Sequence, residues 1–428
     1  MLAKLFLTLP QRRPKIFFGW YIVAASVGMN FYLSLAFFQG FQIFFLPIVN
    51  EFGWSRTLTS GAFALRQLET GVMAPAVGFL VDRWGPRTII LGGVIVGGTG
   101  MLLLSAISSA WMFYLAFAII SFGVSGASHG IAWPAVIVKW FHRMRGRALG
   151  LAMLGPVVAG PFLILVQLLE EALGWRLAIF VLGVGLWVLG IPLALLARPH
   201  PEVYGLLADG EPVAAAKPPV QGKAHEERRD RQDLPGLTVA EAVRTRAFWA
   251  LVAVFGIHGL GVSGVMVHQV PLFQSVGFSP REASIGLGLV FFLSGIGRLS
   301  AGVLMDLIDQ RLVLTGALVA QALSFLLLAY LTEWWQVIPF ALLFGIAFGS
   351  TIPARPILMG RIFGQRAFGA LQGLVQGAAV ATGVLGPLIM GLAFDLTGTY
   401  APANFFFAVL TLAAAPLALL VPSSQASA

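Results

Sequence analysis

The 428-residue sequence has no cysteine, and only 11% of its residues are charged. The missing cysteine excludes disulfide frameworks, thiolate metal sites, iron–sulfur clusters and cysteine nucleophiles. The shortage of charge excludes a soluble surface, since an average soluble domain carries about 25% charged residues. There is no Walker-type loop, so ATP does not drive this chain directly. The six histidines are scattered and form no His-Glu-x-x-His pair. No metal or other cofactor and no enzymatic chemistry are expected. The 50 glycines follow no Gly-X-Y period. Acids are scarcer than bases, 18 against 27, a net charge of +9.

What is abundant is apolar sequence, at 58% of residues. A membrane helix needs about 20 mostly apolar residues to cross a core of about 30 Å. Twelve such runs are expected: 18–46, 61–81, 88–107, 111–138, 148–170, 176–197, 247–273, 283–305, 312–331, 335–359, 367–394 and 402–421. The short apolar stretch from Leu5 to Leu9 is followed by Arg12, Arg13 and Lys15, unlike a secretory signal, so the first span is expected to be retained.

Basic residues set the orientation. With the N-terminus cytoplasmic, 21 of the 27 Lys and Arg fall on inside segments. Three, Arg56, Arg176 and Arg281, fall outside, and three lie within spans. Both termini are therefore expected in the cytoplasm, with the chain in the inner membrane. The basic balance reflects topology, and no nucleic-acid partner is implied. Residues 198–246 hold 16 of the 45 charged residues and six prolines. They read as a cytoplasmic linker between a six-helix bundle at 1–197 and a second at 247–428.

The halves repeat. Pro47-Ile-Val-Asn-Glu-Phe-Gly53-Trp-Ser55 parallels Pro271-Leu-Phe-Gln-Ser-Val-Gly277-Phe-Ser279 at an offset of 224 residues. Gly78-Phe-Leu-Val-Asp82-Arg-Trp-Gly-Pro-Arg87 parallels Gly302-Val-Leu-Met-Asp306-Leu-Ile-Asp-Gln-Arg311 at the same offset. Duplicated halves with a site between them are the build of a secondary transporter.

The loop Gly78-x-x-x-Asp82-Arg83-x-Gly85-x-Arg87 resembles the signature loop of the major facilitator superfamily. Gly19-Trp20, Glu51-Phe-Gly-Trp-Ser-Arg56 and Lys139-Trp-Phe-His-Arg-Met-Arg-Gly-Arg-Ala-Leu-Gly150 resemble the monocarboxylate transporters and the bacterial oxalate–formate antiporters. The resemblance implies an all-α membrane fold of twelve helices. It also implies alternating access, with spans 3, 6, 9 and 12 as outer supports. The Arg-x-x-Gln-Gly motif of proton-coupled drug exporters is absent from span 4, where Phe122-Gly-Val-Ser-Gly-Ala-Ser-His129 stands.

A charge at mid-bilayer costs at least about 2.5–3.5 kcal/mol and needs a partner or a wet cavity. Few residues qualify: Arg66, Glu69, Arg298 and Arg355, with His129 and His258. They sit on spans 2, 4, 7, 8 and 10, which the resemblance makes cavity helices. Arg298 offers a rigid fork that fits a carboxylate. It also stands where the resemblance places a substrate arginine. The acid that accompanies it in that family is replaced by Ser294. Arg355, between Pro353 and Pro356, either binds substrate or braces the inner gate through freed carbonyls. Asn30, His258 and Gln376 join them as candidate substrate ligands.

His258, His129 and Glu69 are candidate proton carriers. Glu69 and Arg66, three apart on one helix face, also read as an internal ion pair. His268 lies near the outer mouth and reads as a gate residue. The resemblance makes Asp82, Arg83 and Arg87 a gate latch, with Asp306 and Arg311 its degenerate copy. Gly150, Gly155, Gly160, Gly369, Gly373 and Gly377 read as close-packing positions. The expected protein is a monomeric transporter of a small organic anion, a mono- or dicarboxylate, coupled to protons or to exchange. Export of hydrophobic or zwitterionic molecules is the second reading.

Overall fold

The computed structural model describes residues 17–128, 132–141, 143–198, 200–201, 208–210, 236–364 and 366–421. The side chains at 70–76, 82, 145–146 and 306 lie outside that description. Regular structure among the described residues is helical, apart from one isolated bridge between Gly236 and Gly364.

Span 1 covers Phe18–Phe52 in three pieces: an α-helix Phe18–Leu33, a π-turn Ser34–Phe38 and an α-helix Phe41–Phe52. At Gly40 a Cβ would run into the carbonyl oxygen of Leu35, so only glycine fits the break. Span 2 is Arg56–Trp84 and span 3 is Pro86–Ser105. Span 4 runs as Ala110–Ala127 and resumes as Ala132–Trp140.

Spans 5 and 6 share one apolar segment, Arg147–Leu195, of 49 residues. A straight helix of that length would measure about 75 Å, far beyond a core of about 30 Å. Gly174 breaks it at φ 73, a left-handed turn open to glycine.

The second half contains span 7 (Arg246–Ser275), span 8 (Pro280–Leu307), span 9 (Gln310–Ala329) and span 10 (Val337–Phe363). Span 11 is Phe368–Gly383 followed by Leu385–Thr397, and span 12 is Ala401–Leu419.

Ten segments among the described residues are long and apolar enough to cross a membrane. Span 2 is not one of them, because Arg56, Arg66, Glu69, Asp82 and Arg83 lower its hydropathy, although its 29 residues are long enough. Adding it, and dividing Arg147–Leu195 at Gly174, agrees with the twelve expected.

The sequence repeat is a repeat of local geometry. Gly53 and Gly277 both have positive φ, 65° and 109°. Two residues on, Ser55 and Ser279 cap spans 2 and 8, accepting from the amides of Leu58 and Glu282. Such a cap satisfies one of the free amides of a helix start.

Within the first half span 3 packs on spans 4 and 6; within the second, span 8 packs on 10, span 9 on 12 and span 7 on 11. Across the halves span 2 meets span 11, span 5 meets span 8, and the end of span 1 meets span 7. One apolar core runs through the first half and into the second. A separate core, with Phe248, Leu251, Leu358 and Phe363, lies within the second half alone.

Close packing is found at Gly155 and Gly160. A Cβ on Gly155 would sit 2.6 Å from the Val27 oxygen of span 1. It is not found at Gly150, Gly369, Gly373 or Gly377, where a Cβ would meet nothing within 4 Å. These four correct the expectation. They lie toward the termini, where no hydrogen bond or ion pair among the described residues joins the halves.

Candidate functional site

A cavity of about 450 Å³ lies between the halves. Spans 1, 2, 7, 8, 10 and 11 line it, and among the described lining residues none belongs to spans 3, 6, 9 or 12. Its polar lining is Arg66, Gln67, His258, Ser263, Thr351, Arg355 and Gln376. Phe38, Phe63, Phe255, Phe291 and Phe348 provide the aromatic walls. No Asp or Glu is among the described lining residues.

Arg355 reaches the cavity from span 10, whose helix carries both Pro353 and Pro356. Its guanidinium donates to the Gln376 carbonyl oxygen of span 11, while its buried Nε has no hydrogen-bond partner among the described residues. Arg66 lies over three rings, 5.6 Å from Phe37, 5.3 Å from Phe38 and 5.9 Å from Phe63. Such stacking suits a weakly hydrated cation. Gln67 donates to the Gly383 oxygen at 3.1 Å and ties span 2 to span 11.

His258 is buried with both ring nitrogens engaged. Nδ1 lies 2.6 Å from the Gln321 carbonyl oxygen of span 9, and Nε2 lies 2.9 Å from the Thr351 hydroxyl of span 10. With Nδ1–H donating to Gln321, the single Thr351 hydroxyl proton is shared between Nε2 and the Phe348 carbonyl, 2.8 Å from the same oxygen.

The structure thus brings Arg355, His258 and Gln376 together. Arg298 does not line the cavity; it is half-buried on span 8, and its Nε has no hydrogen-bond partner among the described residues. Asn30 is buried in span 1, where its amide donates to the Ser26 oxygen at 2.8 Å, and it does not line the cavity. Glu69 is half-buried and is not a lining residue either. His129 lies outside the described residues, as do the side chains of Asp82 and Asp306. Arg83 is exposed and Arg87 half-buried. Arg311 forms a fork with Asp309 at 2.6 Å and reaches the Val421 oxygen at 3.3 Å. The Arg311 guanidinium holds the Asp309 carboxyl below the usual carboxylate range.

Beyond the cavity, away from the termini, the halves are joined. Asp395, at the end of span 11, accepts from the Arg56 amide at 3.0 Å and the Thr57 amide at 2.9 Å. A carboxylate of one half thus caps the N-terminus of span 2 in the other, where the helix dipole favours negative charge. Arg56 lies 3.4 Å over the Phe394 ring and donates to the Tyr400 hydroxyl. Glu171 of span 5 pairs with Arg281 of span 8 at 2.6 Å, and Ser284 donates to Gln167 at 3.2 Å. His268, fully buried, faces Ser60, Tyr400 and the Pro387 oxygen.

The sequence reading placed His268 at a gate but missed Asp395 and Tyr400. The available signal was an acid followed by Gly398, a span end matched to an N-cap serine on another helix.

A duplicated bundle of membrane-spanning helices, closed at one end around a cavity lined from both halves, defines a membrane carrier rather than an enzyme. The family model of the Major Facilitator Superfamily matches residues 20–276 and 251–428, and the chain belongs to that family. Among its relatives, an uncharacterized MFS-type transporter, YcxA, of Bacillus subtilis is 24% identical over 415 residues, covering 91% of this chain and 90% of the relative. Monocarboxylate transporter 12 of Xenopus laevis is 26% identical, covering 90% of this chain and 84% of its own. Among solved structures, a bacterial homolog of the human lysosomal transporter Spinster, inward-facing and unoccupied, matches with a TM-score of 0.71 at 16% identity. That match covers 96% of this chain and 98% of the other, and it shows the shared fold.

Proposed function

We propose that this transporter moves a small organic anion, a mono- or dicarboxylate, by alternating access, as a monomer in the inner membrane with both termini cytoplasmic. The carrying observation is Arg355 in a cavity whose described lining holds no carboxylate. An arginine fork in such a cavity favours an anion that accepts two hydrogen bonds. Gln376 orients the fork, and His258 and Thr351 border the same space. In this topology the joined end is the outer gate and the present state opens inward. Arg298 is a second anion ligand of the reading, one that comes to the cargo in another state of the cycle. Protons or a counter-anion supply the driving force. The curated relatives named as monocarboxylate transporters support the same class.

The test is a thermal-shift screen of purified protein against mono- and dicarboxylates, with Arg355→Gln and Arg298→Gln alongside. A ligand at 100 times its dissociation constant stabilises by about 2.7 kcal/mol. A carboxylate shift present in the wild type and lost in Arg355→Gln supports the reading. Five phenylalanines in the lining favour a second reading, hydrophobic or zwitterionic cargo. Shifts with such compounds only, equal in both variants, would replace the first reading with the second.

A further inference from the structure

We propose that His268 is a proton-binding site that controls the outer gate: a proton taken up at its Nδ1 unlocks the joined end of the two halves. The inference rests on alternating access but not on the nature of the cargo.

The hydrogen-bond directions around the ring are fixed by its neighbours. Arg56 donates to the Tyr400 hydroxyl oxygen, so the hydroxyl proton is left to point at His268 Nδ1, 3.0 Å away. Ser60 donates to the Arg56 carbonyl at 2.6 Å, so its oxygen is left to accept from His268 Nε2, 2.7 Å away. The Pro387 carbonyl, 3.0 Å from the same nitrogen, can only accept. The closed gate therefore uses one tautomer, the neutral ring protonated at Nε2.

A second proton has no place in this arrangement. Bound at Nδ1, it meets the Tyr400 hydroxyl proton head-on. That hydroxyl must then turn away from its acceptor, and its oxygen is left facing two cationic donors, Arg56 and the imidazolium. A buried polar group that loses its partner costs far more than one exchanged for water. Four elements surround the ring. Span 2 brings Arg56 and Ser60, span 11 brings Asp395 and the Pro387 carbonyl, and the residue leading into span 12 is Tyr400. Span 1 brings the uncharged ring of Phe45, 5.1 Å away.

Asp395 is the compensating charge, but both its oxygens are already engaged by Arg56 and Thr57. The strained pieces, Ser60 and Arg56 on one side and Pro387, Asp395 and Tyr400 on the other, belong to opposite halves. Relief comes from separating them, which opens the gate. Met266 and Val267, just before His268, line the central cavity, so the same movement exposes that cavity.

The lack of cysteine makes the test direct. Ser108, exposed in the first half, and Thr399, exposed in the second, stand on loops at the joined end. With both changed to cysteine and spin-labelled, pulsed electron resonance reads the gate distance from about pH 8 to about pH 5, the range that spans histidine titration. No cargo is added. A longer-distance population should grow as pH falls. A one-unit difference in proton affinity between open and closed states shifts their ratio about tenfold.

His268→Gln, whose amide can still donate to Pro387 and accept from Tyr400, should hold the ratio constant across the range. Tyr400→Phe removes the opposing hydroxyl and should shrink the response, which covers the case in which His268→Gln fails to fold. An unresponsive wild type overturns the proposal. So does a response that survives in His268→Gln but is lost in Asp395→Asn, which would place the proton on the carboxylate. Because carboxylates are absent from the sample, neither result bears on Arg355 as the anion site.

Discussion

Gly160 and Gly288 meet backbone to backbone across the boundary between the halves. A Cβ on Gly160 would lie 2.7 Å from the Gly288 carbonyl oxygen, and one on Gly288 would lie 2.5 Å from that of Gly160. Span 5 and span 8 can cross this closely only because both positions are glycine. The crossing lies on the same side of the cavity as the Glu171–Arg281 pair and supports the joined end.

Gly288→Val should therefore force the crossing apart. Overpacking of this kind costs about 1–3 kcal/mol in a packed interface. The melting temperature should fall, and spin labels at Ser108→Cys and Thr399→Cys should report a wider gate at neutral pH. A variant as stable and as closed as the wild type would show that the crossing bears no load.

Arg355→Gln should weaken carboxylate binding about 10- to 150-fold, the range set by about 1.5–3 kcal/mol for a hydrogen bond to a charged group. Arg355→Lys should recover only part of it, since an ammonium lacks the planar fork. Titration followed by melting temperature separates the three proteins.

Gln321→Leu leaves the Nδ1–H of His258 without an acceptor in a buried place. The expected loss is about 1–3 kcal/mol of stability. Thr351→Val should cost less, because Nε2 stands at the cavity wall, where water can replace the lost hydroxyl. Equal melting temperatures for the two variants would contradict this ordering.

The two charged contacts at the joined end should behave differently. Arg281 and Glu171 are 62% and 29% exposed, and pairs this open contribute about 0–1 kcal/mol. Arg281→Gln should barely move the melting temperature, and raising the salt should abolish what difference there is. Asp395→Ala removes a cap from two backbone amides and should cost about 0.5–2 kcal/mol.

The spans and the duplication were legible because lipid demands long apolar runs and leaves few other solutions. The twin caps at Ser55 and Ser279 could be read from one repeated phrase, since glycine and serine there serve backbone needs that are local. Arg355, His258 and Gln376 were visible as polar residues in apolar helices, which need a wet cavity or a partner. The joined end was not legible. Asp395 looks like any acid at a span end, and its partner is the start of a helix 339 residues earlier in the chain. Nothing in local composition encodes such a pairing. The placement of Arg298 away from the described lining was hidden too, because helical depth says how far in a residue sits but not which way it faces.

The empty surroundings of Gly369, Gly373 and Gly377 have a consequence for how tolerance to change is measured. In the posture described, a methyl group on any of them touches nothing, and a screen for folding would score alanine there as silent. A carrier, however, must visit a second posture in which the separated ends of its halves come together. Substitutions on such a bare stripe are judged only there, by turnover rather than by melting. Positions where the two scores part company would trace the surface that closes when the cargo chamber turns to face the other side.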